Sequence, residues 1–404
     1  MTKRNAKKEY LLLLLGAVVT AVLCGGVGAL FSYALKLANK AFGSFPFLVY
    51  LLPLGGVLTV LLFKALKVDG KNIHTVFSDV RNDGETPFLL SCAIFLGTVI
   101  TQLFGGSAGK EGAALQIGSG ISSPIAHHLK LRRDNHKILL LCGMTAMFSA
   151  VFTVPLAAFA FGLEIIYISR KFYLKAVLPL AIASYAAFFT AQLLGVHPER
   201  FTLSEIPGFT SGSFFKTAAV VLACSAACVV FCLTLHASSH LFKKLFKNPY
   251  VRILAGGVLV AALTLAVGST DYNGSGMHII EHVIHTGSVV SAAFAFKILF
   301  TAITNASGFK GGEIVPALFV GATLGATVGS LVGIDPSFAA AVGMVSLFCG
   351  ATKCAFAALF LGFEFFGVEG IGYFALAAAL SRLVTANIGL YTEEHNDHDF
   401  VFQP

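Results

Sequence analysis

Charge is scarce in this chain: 12% of its 404 residues are Asp, Glu, Lys or Arg, against 56% hydrophobic. That excludes an ordinary soluble globular protein, which carries about twice as much charge. Alternating segments of about ten residues are also absent, which excludes a membrane β-barrel. All eight cysteines lie in apolar sequence and imply no disulfide framework. Cys224, Cys228 and Cys232 are spaced to share one helix face as small packing residues; thiolates in lipid would need strong compensation, so no metal site is expected there. No long polar linker, low-complexity tract or soluble appendage interrupts the chain. The expectation is a single membrane domain over residues 1–404, with a short polar tail at 393–404 and no cofactor.

What the chain has instead is apolar sequence, with a mean hydropathy of +0.82. Apolar stretches recur at about residues 10–36, 46–66, 87–104, 138–168, 174–196, 214–236, 251–268, 288–304 and 311–388. Several reach the ~20 residues that span a bilayer, and others are short or broken by glycine, as tilted or re-entrant helices are. The fold class is therefore an all-α polytopic membrane protein surrounded by lipid. The first stretch is too long for a signal-peptide core and has no cleavage pattern, so it reads as a retained helix.

The net charge of +8 is mostly a topological signal. Lys3, Arg4, Lys7 and Lys8 precede the first stretch. Lys130, Arg132, Arg133 and Lys137 form a second cluster, Arg170 and Lys171 a third, and Lys243, Lys244 and Lys247 a fourth. These clusters border apolar spans, which argues for a cytoplasmic face and N-terminus and against a nucleic-acid partner.

The two halves resemble each other. Gly143-Met-Thr-Ala-Met-Phe-Ser-Ala returns as Gly343-Met-Val-Ser-Leu-Phe-Cys-Gly, and Leu156-Ala-Ala-Phe-Ala-Phe-Gly-Leu-Glu164 returns as Phe356-Ala-Ala-Leu-Phe-Leu-Gly-Phe-Glu364. Matches in one register predict a duplicated unit, here residues 9–200 and 201–392. Inverted topology is the expected arrangement, with the binding site where broken helices of both halves meet. Glu164 and Glu364 read as helix-end residues at the membrane surface.

Two glutamates lie in glycine-rich breaks at equivalent places. Glu111 sits in Gly105-Gly-Ser-Ala-Gly-Lys-Glu111-Gly-Ala-Ala and Glu313 in Gly308-Phe-Lys-Gly-Gly-Glu313-Ile-Val-Pro. A carboxylate at membrane depth is costly and marks function by default. Helices that start at such breaks offer free N–H groups to anions. For Glu111 the competing reading is a salt bridge to a nearby lysine; for Glu313 it is a helix cap paired with Lys310. Residues 105–109 also spell Gly-x-Ser-x-Gly around Ser107, but that hydrolase pattern needs a strand-to-helix turn and a partnered histidine, neither of which this sequence suggests.

Gly109-Lys-Glu-Gly-Ala resembles the Gly-Arg/Lys-Glu-Gly-Pro element of the CLC chloride channels and proton-coupled antiporters. Gly311-Gly-Glu-Ile-Val-Pro316 resembles the family's second-half Gly-x-Phe-x-Pro element, Pro155-Leu-Ala-Ala-Phe-Ala-Phe-Gly-Leu-Glu another of its helices, and Leu390-Tyr391 the position of its pore tyrosine. The resemblance spans nearly the whole chain. It implies the CLC fold: two inverted-topology repeats of tilted and re-entrant helices, in a homodimer with one pore per subunit. It also implies that Glu111 is the gating glutamate, a tethered anion that leaves the site when protonated. No enzymatic activity is implied.

The departures resemble one branch, the bacterial fluoride/proton antiporters called CLC-F. Gly70-Lys-Asn-Ile-His74 stands where the family carries Gly-Ser-Gly-Ile-Pro, with Asn72 or, in the other alignment, Lys71 in place of the serine. Glu313 occupies an apolar position, and Ile165 stands where many chloride/proton antiporters carry a proton glutamate. Val315 departs from the branch, which often has threonine there. The implied function is export of fluoride from a bacterial cytoplasm, across the inner membrane, in exchange for protons; the alternative is a chloride/proton antiporter or chloride channel. Fluoride needs strong donors: the Asn72 amide, backbone N–H groups near Gly112, Ile314 and Val315, and the Tyr391 phenol. Glu111 and Glu313 would carry the proton. His74 is either a proton participant or a polar residue at a helix start, and Phe77 either an edge toward the ion or packing.

Overall fold

A computed structural model of the chain describes residues 3–82, 84–166 and 169–391; the tail expected at 393–404 lies outside them. Among the described residues are sixteen α-helices. The first half holds α1 (Lys3–Ser44), α2 (Leu52–Ala65), α3 (Ile73–Arg81), α4 (Phe88–Leu103), α5 (Glu111–His128), α6 (Arg133–Phe152), α7 (Pro155–Glu164) and α8 (Arg170–Leu193). The second holds α9 (Ser211–Leu245), α10 (Pro249–Val267), α11 (Met277–Thr286), α12 (Ala293–Ser307), α13 (Ile314–Val332), α14 (Pro336–Thr352), α15 (Ala355–Phe366) and α16 (Ile371–Val384). Seven helical stretches are long and apolar enough to cross a membrane. The protein is a multi-pass membrane protein.

Local chemistry explains where the long apolar runs break. The run 138–168 divides because Thr153 takes a left-handed conformation (φ 60°) that ends α6, and Pro155 starts α7 where a missing N–H costs nothing. The run 311–388 resolves into four helices. Gly333 ends α13, and Asp335 caps α14 by accepting from Phe338 N at 2.8 Å. Lys353 (φ 67°) ends α14 as Thr153 ends α6, 200 positions earlier. Two short helices, α3 and α11, were not among the apolar stretches, because each is amphipathic and mixes polar residues with its buried ones.

The repeated glycines sit at close helix crossings. A Cβ on Gly143 would lie 2.2 Å from the Gly118 carbonyl, and one on Gly343 would lie 2.1 Å from that of Gly321. In each half, two backbones meet with no room for a side chain, the close approach that small residues allow inside membranes. α6 and α14 are accordingly buried almost throughout, while α1, α2, α8, α9 and α10 turn rows of exposed leucine, valine and phenylalanine outward. The cysteine stripe Cys224, Cys228 and Cys232 is buried on α9, with the first two thiols directed at the Gly321 and Leu347 carbonyls.

Glu164 and Glu364 are not mere surface helix ends. Glu164 accepts from the Phe356 and Ala357 amides at 3.1 and 2.8 Å, at the start of α15. Glu364 accepts from the Leu156 and Ala157 amides at 2.9 and 2.8 Å, at the start of α7. Each carboxylate thus satisfies orphan N–H groups of the helix equivalent to its own.

Candidate functional site

The two glycine-rich breaks meet face to face. Gly109 N donates to the Gly312 carbonyl at 2.6 Å and Gly312 N to the Gly109 carbonyl at 2.9 Å, an antiparallel bridge between segments about half the chain apart. Only glycine permits the approach. A Cβ on Gly312 would lie 2.4 Å from Gly112 N, and one on Gly311 would lie 2.4 Å from the Ala108 side chain. The bridge sets the first residues of α5 and α13 beside each other.

Glu111 opens α5 and is fully buried. Its Oε2 accepts from the Val315 amide at 3.2 Å, in the first turn of α13, and its Oε1 has no hydrogen-bond partner. A carboxylate therefore occupies the place where a helix start attracts anions. Lys110 does not pair with it: that ammonium lies 3.6 Å from Glu199 and over the Phe152 ring. Glu313 precedes α13, and its side chain makes no capping bond. Its Oε1 instead accepts from Asn305 Nδ2 at 3.1 Å, while Lys310 stacks on Phe63 at 4.3 Å.

A cavity of about 640 Å³ reaches this bridge, and its lining includes Gly112, Gln116, Gly311 and Glu313. Glu111, Ile314 and Val315 lie just past it, buried. Cations dominate the walls: Lys64, Lys71, Lys243, Arg252 and Lys310 face Asp69 and Glu313. Such a lining raises the local anion concentration.

The sequence model of the voltage gated chloride channel family matches residues 55–386, most of the chain. The chain belongs to the voltage-gated chloride channel family. Among curated relatives it is 29% identical to the "Chloride/fluoride channel protein" of Pseudomonas syringae pv. tomato, over 96% of this chain and 87% of that one. Among solved structures it resembles a CLC-type fluoride/proton antiporter with a TM-score of 0.89 and 29% identity, covering 97% of this chain and 98% of the other. A slow cyanobacterial Cl−/H+ antiporter is similar at 0.81 with 18% identity, covering 95% and 97%. The architecture is the CLC fold.

Within that CLC frame, the remaining expected site residues fall on two levels. Asn72, Lys71, His74 and Tyr391 line the cavity together with Gly112 and Glu313. Asn72 caps α3: its Oδ1 accepts from Thr75 N at 3.0 Å, and Thr75 Oγ1 accepts from Asn72 N at 3.0 Å. The cap uses the amide oxygen and leaves Nδ2 outside it as a donor. Phe77 lies one turn further along, buried, with its ring against Tyr391 at 5.2 Å in an edge-to-face contact. Its ring is outside the cavity lining and packs against the tyrosine. Ser107 shares a hydrogen bond of 3.1 Å with Thr301 Oγ1 and supports the loop before Glu111.

Sequence reasoning missed Asn305, the hydrogen-bond partner of Glu313, and Gln116, which donates to the Gly112 carbonyl at 3.0 Å. Asn305 stands in the last turn of α12, and its place within apolar sequence was the available signal.

Proposed function

We propose that this protein is a fluoride/proton antiporter that exports fluoride from a bacterial cytoplasm while protons move inward. The observation that carries the reading is the seat of Glu111: a carboxylate buried at a helix start, holding the Val315 amide with one oxygen. Ionised, the carboxylate occupies the place of an anion. Protonated, it loses the charge that favours that seat, swings out, and exposes the amides of Gly112, Ile314 and Val315. One side chain then responds to both anion and proton.

Glu313 takes the second proton role in this reading. It faces the cavity and lies across the bridge from Glu111, so a proton passes between the two along the pore itself. The donors for the anion are the Gly112, Ile314 and Val315 amides, Asn72 Nδ2 and the Tyr391 phenol, with Lys71 and His74 contributing charge at the cavity wall. Strong donors suit fluoride, a small and strongly hydrated acceptor. The name of the Pseudomonas syringae relative and the fluoride/proton antiporter structure support the same ion.

The basic clusters support the orientation. Arg132 N donates to Glu9, Tyr10 donates to the Lys175 carbonyl, and Lys137 donates to the Arg81 carbonyl, which gathers three clusters and the end of α3 at one face. The start of α3 and Lys243 both line the cavity. The cavity and the N-terminus then face the cytoplasm of an inner membrane. The repeats at 9–200 and 201–392 and a homodimer with one pore per subunit complete the assignment.

The test is efflux from proteoliposomes loaded with fluoride or chloride, with internal pH recorded. Fluoride efflux that drives protons uphill is the expected result. Val315 brings no hydroxyl to the site, and an equal or larger chloride flux would replace this reading with a chloride/proton antiporter. Flux without proton movement would replace it with a channel.

A further inference from the structure

The cavity wall holds two cations, Arg252 and Lys310, with no ion pair among the described residues. Arg252 stands in the first turn of α10, and Lys310 in the turn before α13. The Arg252 Nε is buried and has no hydrogen-bond partner among the described residues, and no carboxylate pairs with either cation there. The guanidinium lies over the turn that carries Lys310: a Cβ on Gly308 would be 4.0 Å from Arg252 Nη2. The Lys310 ammonium rests on the Phe63 face, which supports its charge without satisfying its donors. Lys64 and Lys243 add charge to the same cavity. A buried donor left without an acceptor is unfavourable, so this wall is arranged to receive an anion from outside the chain.

We propose that Arg252 and Lys310 form a binding site for a phosphoryl group, separate from the anion seat at Glu111. A guanidinium fork grips two oxygens of one oxyanion, which monatomic fluoride cannot offer. A phosphoryl dianion neutralises both cations, and the cavity of about 640 Å³ has room for more than a single phosphate. Its occupant shares the cavity that Glu313 lines, so binding obstructs transport. The source is either a soluble phosphate compound or the headgroup of an anionic lipid. The obstruction rests on the transport reading above; the binding does not.

The experiment uses the full chain. Thermal unfolding in neutral detergent is followed with inorganic pyrophosphate, and with sodium chloride at matched ionic strength. Pyrophosphate is expected to raise the midpoint. Arg252→Gln and Lys310→Met should each weaken that response by at least about tenfold in apparent affinity, while Arg252→Lys and Lys310→Arg, which keep the charge, should bind between these variants and the unmodified chain. In parallel, phosphatidylglycerol is titrated into phosphatidylcholine nanodiscs. A response to pyrophosphate that the neutral variants lose supports a soluble ligand. A response to phosphatidylglycerol alone, lost in the same variants, supports the lipid. Equal responses in all variants, or none to either probe, overturn the site. Fluoride efflux with and without pyrophosphate, each variant scored against its own uninhibited rate, tests obstruction. Pyrophosphate binding in a protein that moves no fluoride would refute the transport reading and leave the site standing.

Discussion

Glu111 and Glu313 occupy matching glycine-rich breaks, yet the fold treats them oppositely. Glu111 is sealed in protein, with one oxygen on the Val315 amide and the other without a partner. Glu313 is half-buried, faces the cavity, and takes a side-chain donor from Asn305. The difference comes from which helix start each carboxylate can reach. Glu111 reaches across the bridge to α13; Glu313 turns back toward its own preceding helix α12. Sequence symmetry therefore does not give the two residues one role: in the proposed reading Glu111 is the gate and Glu313 a relay open to the cavity side.

The sharpest break in the comparison is charge. Glu111→Gln keeps the shape and removes the titrating group, so we expect proton flux to fall by at least about a hundredfold while fluoride still moves. Glu313→Gln keeps an oxygen for Asn305 and should lower proton flux less. Paired fluoride and pH recordings decide it, and coupled exchange persisting in Glu111→Gln would remove the mechanism.

Geometry offers a second break. A Cβ at position 109 would lie 2.2 Å from Glu111 Oε2, so Gly109→Ala should unseat the gate and destabilise the protein by about 1–3 kcal/mol. Gly26→Ala is the control, because nothing lies within 4 Å of that position and alanine favours a helix. Thermal unfolding in detergent compares them; equal midpoints would show that the bridge tolerates a side chain.

The smallest effect sharpens the cavity side. Asn72→Ala removes the α3 cap, at about 1 kcal/mol, and also the Nδ2 donor. Asn72→Asp restores the cap without that donor. If the amide favours fluoride, both variants lower the fluoride-to-chloride flux ratio, whereas recovery in Asn72→Asp would assign the effect to the cap alone.

The membrane class, most helices and the two glutamates were legible because they depend on local composition and spacing. The apolar runs announce helices directly, and Pro155, Asp335 and Pro336 announce where two of them restart. α3 and α11 were hidden because a short amphipathic helix carries little hydropathy signal. Asn72 was legible as a departure in a motif, but its cap was not, since that depends on the conformation Thr75 adopts. Asn305 was overlooked for the same reason: its partner is fixed by a turn, not by a pattern.

By itself the sequence determined a chain too apolar for water, folded into helices that begin and end at glycine, proline and capping residues, with a glutamate at each of two glycine-rich breaks. Those are short-range matters, set by solvation and by hydrogen bonds within a few residues. Only the tertiary structure decided that Gly109 meets Gly312, that Glu111 rests on Val315, that Glu164 and Glu364 exchange caps, and that Arg252 and Lys310 line one cavity. Each of these joins segments far apart in the chain. Electrostatic and hydrogen-bond energies depend on separation in space, which the packing of helices fixes and the order of residues does not.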